Sequence, residues 1–248
     1  MSIEVKSRFA VFSDVHANLA ALQKFLKDAQ ARGIEQYFCL GDIVGYGPRP
    51  NECCEIVREM DIPVVLGNHD YACLHEEDRL HFNDIARQAI EWTADQLNAE
   101  NREWLSSLPC RIDAGDYTFV HASACKPSEW TYVISRKDVD DCFEAFQNSV
   151  CFIGHSHQPF VVIEDDKGQM QFPEQQTIQK KGVYRYLVNV GSIGQPRDQD
   201  ARLCYFLVDQ TESLMSFIRV DYPIEETQKE INAAGLPIQL ANRIEKGW

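Results

Sequence analysis

The stretch Arg8–Arg32, RFAVFSDVHANLAALQKFLKDAQAR, opens on a short apolar run, turns polar at Ser13-Asp14-Val15-His16, and resumes with Leu19, Leu22, Phe25, Leu26 and Ala29 at helical spacing. It reads as strand, polar turn, helix. Working outward, Tyr37–Leu40 repeats the strand signal, Pro50–Met60 fits a helix opening at a proline, and Pro63–Leu66 is apolar and β-rich. Such alternation predicts right-handed crossovers and a parallel sheet.

Further along, the apolar spacing over Asn83–Leu108 predicts one or two helices, making residues 71–108 a cap-like helical insertion. Tyr117–His121 and Val150–Ile153 read as strands around a helix near Lys137–Gln147. Beyond Phe160 the runs Phe160–Ile163, Tyr184–Val190, Cys204–Val208 and Leu214–Val220 have turns between them and little helix, so a more antiparallel second sheet is expected there. Ile224–Ala234 and Gln239–Lys246 fit closing helices, broken at Gly235 and Pro237. The expected fold is α/β, with two facing mixed sheets flanked by helices in one domain spanning residues 1–248.

The chain has 248 residues, enough for one large domain with a full core, and its 44% hydrophobic and 25% charged content is that of a globular protein. A formal charge of −14 argues against a broad basic surface for nucleic acid, and no stable nucleic-acid binding is expected. Bound divalent cations can supply local positive charge for a polyanionic substrate. Nine cysteines without a C-x-x-C pair, no apolar leader and no run long enough for a membrane span point to a reduced, cytoplasmic protein.

Five short polar motifs each follow an apolar strand: Asp14-Val15-His16, Gly41-Asp42, Gly67-Asn68-His69-Asp70, His121, and Gly154-His155-Ser156-His157. In open α/β sheets the functional crevice lies beyond the carboxyl ends of the strands, so distant motifs converge there. On an extended chain, the spacing in Asp14-x-His16 and His155-x-His157 puts both side chains on one side, within reach of one metal. Imidazole and carboxylate suit zinc, manganese or iron, and the lack of thiolates disfavours a structural zinc cage. The glycines Gly41, Gly67 and Gly154 allow a tight turn where strand becomes loop. Taken singly, each histidine is an ordinary structural residue at a strand end; five of seven histidines in register argue otherwise.

The ordered set D-x-H, G-D, G-N-H-D, H and G-H-x-H resembles the calcineurin-like metallophosphoesterase family over roughly Asp14 to His157. The resemblance implies that Asp14, His16 and His157 hold one metal ion and Asn68, His121 and His155 a second, with Asp42 bridging. It implies that His69, protonated, meets the phosphate and assists the leaving group, that Asp70 orients it, and that a hydroxide bridging two Mn, Fe or Zn ions is the nucleophile. Gly41-Asp42-Ile43-Val44-Gly45-Tyr46-Gly47 departs from the G-D-x-V-D-R-G of the protein-phosphatase branch. The chain is more similar to the small phosphodiesterases and diadenosine polyphosphate hydrolases.

Arg197, in the loop Asn189–Asp198, is a candidate to hold a second phosphate, although it equally suits a turn. Trp130 and Tyr132 are candidates to stack a nucleobase, while Trp92 and Trp104 lie at core spacing. His75 and His81 fit no ligand position, Cys125 reads as an inert thiol, and Asp113, Asp116, Asp138, Asp140 and Asp141 read as solvated charges. The expected function is a phosphodiesterase or nucleotide phosphohydrolase acting on a small phosphoester, such as a dinucleoside polyphosphate. A phosphomonoesterase or phosphoprotein phosphatase, and a non-catalytic scaffold on the same fold, are the alternatives.

Overall fold

Alternate residues of the first strand serve two different cores. In the computed structural model, which describes residues 3–248, Phe9 and Val11 face a second sheet, whereas Ala10 and Phe12 face helices. The elements run β1 (Arg8–Phe12), α1 (Leu19–Ala31), β2 (Gln36–Cys39), α2 (Pro50–Glu59), α3 (Asn68–Leu74), α4 (Asp84–Gln96), α5 (Ala99–Ser106), β3 (Arg111–Ala114) and β4 (Tyr117–Val120). There follow α6 (Arg136–Glu144), β5 (Val150–Ile153), β6 (Phe160–Glu164), β7 (Met170–Gln171), β8 (Thr177–Gln179), β9 (Arg185–Asn189), β10 (Leu203–Asp209), β11 (Leu214–Val220), α7 (Ile224–Ala233) and α8 (Ile238–Ile244). Short 3-10 turns occupy Glu76–His81 and Pro127–Glu129.

One sheet has the order β2-β1-β10-β11-β8 and the other β3-β4-β5-β9-β6-β7. Both are mixed: β1–β2, β4–β5 and β5–β9 are parallel and the remaining pairs antiparallel. Phe9, Phe38, Phe206 and Met215 of the first sheet pack on Tyr117, Phe119, Phe152 and Val188 of the second. The outer face of the first sheet is covered by α1, α2, α4 and α5, and that of the second by Val139, Cys142 and Phe143 of α6. The result is four layers, helix–sheet–sheet–helix, as expected.

Two expectations are corrected. The late strands do not form a sheet of their own: β6, β7 and β9 join β3–β5, and β8, β10 and β11 join β1 and β2. β10 is buried on both faces between β1 and β11, so its uninterrupted apolar pattern carries no sign of which sheet it enters. Pro63–Leu66 is a single parallel bridge, Cys39↔Val64, and not a strand. Of residues 71–108, Ile90, Leu97 and Leu105 join the core beneath the first sheet, while Tyr71 and several residues from Asp78 to Ala86 line the cavity described below.

Candidate metal centre

The carboxyl ends of the parallel strands meet at one edge of the sandwich, and the loops leaving them are laced together. Asp14 and His16 leave β1, Asp42 leaves β2, His121 leaves β4, and His155 and His157 leave β5. The β1 and β2 loops continue the sheet pairing through Asp14 N–H to Gly41 C=O (3.0 Å) and His16 N–H to Asp42 C=O (2.9 Å). The loop after β9 crosses them, with Gly194 N–H donating to Asp14 C=O at 2.8 Å. Asn18, the N-cap of α1, locks the crossing: its Nδ2 donates to Gly194 C=O and its Oδ1 accepts from Ala21 N–H and Thr227 Oγ1.

Five of the seven candidate ligand residues do not sit on extended backbone. Asp14, His16, Asp42, His155 and His157 all have positive φ, between 49° and 65°. Left-handed backbone at a non-glycine residue costs about 1–3 kcal/mol and persists only where its surroundings impose it. Gly67 and Gly154 are required by close approach more than by turning. A Cβ on Gly67 would overlap Asp42 N and Oδ1, and one on Gly154 would overlap Ser13 Oγ.

Three imidazoles have their hydrogens assigned by what they touch. His16 Nδ1 lies 3.1 Å from Val44 C=O, His121 Nδ1 2.8 Å from Leu40 C=O, and His157 Nδ1 2.5 Å from Gln195 C=O. A carbonyl only accepts, so each Nδ1 carries a hydrogen and each Nε2 is left to face the other donor atoms. Those Nε2 atoms converge. His16 Nε2 is 3.1 Å from His157 Nε2, which is 3.2 Å from Asp14 Oδ1. His121 Nε2 is 3.0 Å from Asn68 Oδ1 and 3.2 Å from His155 Nδ1.

Asp42 lies between the two groups, its Oδ2 3.7 Å from His16 Nε2 and 3.4 Å from His121 Nε2. Its Oδ1 accepts from His69 N–H. Asp14 Oδ1 and Asp42 Oδ2 are buried and have no hydrogen-bond partner. Acceptors facing acceptors at such distances repel unless a cation lies between them. Ligand bonds of about 2.1 Å give ligand–ligand edges of this size. The nitrogen and oxygen donor set, with three of its four imidazoles anchored through Nδ1–H to a carbonyl, therefore fits divalent ions.

Burial lowers the basicity of His16 and His157 well below the ordinary range and brings His155 to about 3. For Asp42, burial raises the carboxyl, but His121, His69 and His16 outweigh it and hold it well below the carboxylate range. Burial likewise opposes the protonation of His121, yet the Asp42 carboxylate lifts it to about 9.

His69 departs from its expected protonated state: burial brings it to about 4, partly offset by Asp42, so the ring is neutral near pH 7. Its Nδ1 has no partner, and the ring packs among Tyr46 (4.4 Å between centroids), His16 (4.8 Å) and Phe82 (4.9 Å). Asp70 does not orient it. Both Asp70 oxygens are engaged by backbone N–H groups, those of Ile43 and Val44 on Oδ1 and that of Gly67 on Oδ2. Its task is to shape the Asp42 loop and cap α3. Burial and the Asp42 carboxylate raise Asp70 to about 7 against those donors.

Beside the centre lies a cavity of about 720 Å³ whose lining includes His69, His155, Trp130, Tyr132 and Arg197. Tyr132 stacks on His155 at 3.9 Å, and Trp130 stands 6.0 Å from His121. The lining also includes Tyr46, Tyr71, His81 and Arg243, to which the sequence reading gave no role at the site. Tyr46 carried a signal, a bulky residue between two glycines just after Asp42. Arg243 carried none, because on a short helix it looks like any solvent-facing cation.

A family model described as the calcineurin-like phosphoesterase superfamily domain matches residues 8–213. An uncharacterized protein of Methanocaldococcus jannaschii is 39% identical over 249 residues, covering 97% of this chain and 98% of its own. The crystal structure of a metallophosphoesterase from Sphaerobacter thermophilus superposes with a TM-score of 0.85 at 41% identity, over 97% of this chain and 99% of that one. A symmetrical bis(5'-nucleosyl)-tetraphosphatase of Psychromonas ingrahamii is 29% identical over 128 residues, 49% of this chain and 45% of its own.

Proposed function

The chain belongs to the calcineurin-like phosphoesterase superfamily, and from that membership we propose that it hydrolyses a phosphodiester or phosphoanhydride bond of a small molecule with the help of two divalent metal ions. The observation that carries this reading is the convergence of imidazole nitrogens on carboxylate oxygens that have no hydrogen-bond partner. Asp14, His16 and His157 would hold one ion, Asn68, His121 and His155 the other, and Asp42 would serve both. When bound, such a pair neutralises phosphate oxygens and acidifies water. The protein's own part is to orient. The backbone carbonyls of Val44, Leu40 and Gln195 fix three rings, and the N–H of His69 fixes the shared carboxylate.

His69 borders the cavity as a neutral ring and donates a hydrogen bond to the departing oxygen. His69→Gln, which keeps a donor but loses the imidazole, is expected to lower kcat about 10²-fold with little change in metal content, measured by turnover and elemental analysis. Residues 71–108 act as a partial cap on the substrate. Trp130 and Tyr71, 6.1 Å apart between centroids, offer a nucleobase an aromatic wall, which favours nucleotides over phosphoprotein loops.

Two measurements test the reading together. Metal-stripped protein is reconstituted separately with manganese, zinc and iron, then assayed on bis-p-nitrophenyl and p-nitrophenyl phosphate. The same samples are melted. A metal bound at about 1,000-fold above its Kd stabilises by about 4 kcal/mol, which at about 2–4 °C per kcal/mol raises the melting temperature by roughly 8–16 °C. Turnover and a raised melting temperature with the same ion support the proposal. Hydrolysis of no ester with any ion would leave a non-catalytic scaffold, and faster monoester turnover would reassign the substrate class.

A further inference from the structure

Most arginines in this acidic chain are paired with carboxylates, but two at the cavity are not. Arg197, in the loop after β9, donates through Nε and Nη2 only to Gln195 Oε1. Arg243, on α8, donates through Nε to the Trp248 carbonyl, and its Nη1 and Nη2 have no acceptor. Among the described residues neither is paired with an Asp or Glu side chain, although the chain carries 38 acidic residues against 24 basic ones.

The two guanidinium groups nevertheless share one neighbour. Their Cζ atoms lie 5.6 Å and 5.9 Å from the centroid of the Tyr46 ring, within cation–π range. That ring in turn is 4.7 Å from His16 and 4.4 Å from His69. Two cations are thus held together on the side of the cavity adjoining the candidate ligand set, without an Asp or Glu side chain to offset their repulsion. Burial and the charge of Arg197 pull Arg243 below its ordinary range, which marks the cost of that arrangement. Backbone bonds keep it in place: Arg197 N–H donates to His157 C=O, and Gln199 N–H to Gly247 C=O, joining the Arg197 loop to the segment after α8.

We propose that Arg197 and Arg243 form a subsite for an anionic group beyond the scissile phosphorus, so that the preferred substrate carries at least two linked phosphates, a nucleoside or dinucleoside polyphosphate and not a simple diester. This deepens the reading of the site as a phosphoesterase centre and rests on it. Unengaged guanidinium N–H donors suit the equatorial oxygens of a terminal or bridging phosphate, which a planar fork can take two at a time. A simple diester with aryl or alkyl arms leaves these donors unpaired, a desolvation loss that sets the preference.

The test has two arms, using Arg197→Gln, Arg243→Gln and the corresponding lysine variants; glutamine keeps packing and one donor, so the Trp248 contact is retained. In the first, tripolyphosphate binding to chelator-treated protein is measured by calorimetry, independently of catalysis. Wild type is expected to bind at least ten-fold more tightly than either glutamine variant, with lysine between. In the second, kcat/KM of the metal-loaded proteins is compared for diadenosine tetraphosphate and bis-p-nitrophenyl phosphate. The ratio of the two is expected to fall ten-fold or more in the variants, chiefly through KM for the tetraphosphate. A merely structural arginine would lower both rates together, and an unmoved ratio overturns the subsite, as does equal tripolyphosphate affinity. Absence of all turnover counts against the phosphoesterase reading, and the binding arm then decides the subsite alone.

Discussion

Replacing Asp42 by asparagine is expected to reduce phosphoester turnover by at least about 10³-fold, the upper range for removing one preorganised electrostatic group. Asp42 is the carboxylate whose Oδ2 addresses both donor groups, 3.7 Å from His16 Nε2 and 3.4 Å from His121 Nε2. Its Oδ1 is already engaged by His69 N–H, so an amide would keep its oxygen there and turn its NH₂ towards the two imidazoles. An NH₂ donor would then replace the partnerless carboxylate oxygen that now faces the two imidazole nitrogens. The variant should accordingly lose metal, shown by elemental analysis, yet melt no lower than chelated wild-type protein. A variant that retained two ions and more than a tenth of the activity would remove Asp42 from the proposed bridging role.

Gly194→Ala is expected to have the largest effect on stability. A Cβ there would overlap the backbone of Val15 and press on the Asp14 carbonyl, atoms that cannot swing aside as a side chain would. The same residue is pinned on both sides, by its N–H to Asp14 C=O and by Asn18 Nδ2 to its own carbonyl. Relief requires the ligand loop after β1 and the Arg197 loop to separate. The loss should exceed about 3 kcal/mol, in the range of severe steric substitutions, and lower the melting temperature by about 6–12 °C. Gly182→Ala is the control, since its Cβ would meet nothing within 4 Å and no change is expected. Equal melting of the two variants would show that the loops yield at little cost.

What could be read from residue order alone divides along physical lines. Strands such as Arg8–Phe12 and helices such as α1 declare themselves through local periodicity, and the five polar motifs through their position after strands. The partition of strands between sheets did not, because β10, apolar on both faces, would suit either one. Pro63–Leu66 reads as a strand, but it makes one parallel bridge, through Pro63 C=O and Val65 N–H to Cys39, before Leu66 N–H turns to Pro109 C=O. At the site, residue types were legible and their backbone was not: nothing in Asp14-Val15-His16 announces a positive φ. The role expected of Asp70 yielded to three backbone donors that lie distant or out of view in the sequence. Arg243 was invisible because its meaning depends on Tyr46, nearly two hundred positions earlier, which it meets only in the folded protein.

The division of the donor sets between the sheets has a consequence for how the molecule comes into being. Asp14 and His16 belong to the first sheet and His157 to the second, so His16 and its neighbouring imidazole are 141 positions apart in sequence. Asp42 and His121 are split in the same way. A chain that has assembled either sheet alone therefore owns no complete cation site, and contacts this distant in sequence are among the slowest to form. Cation capture by these residues would require the closed sandwich. An ion bound there would slow the parting of the two sheets while leaving the rate of their first encounter unchanged.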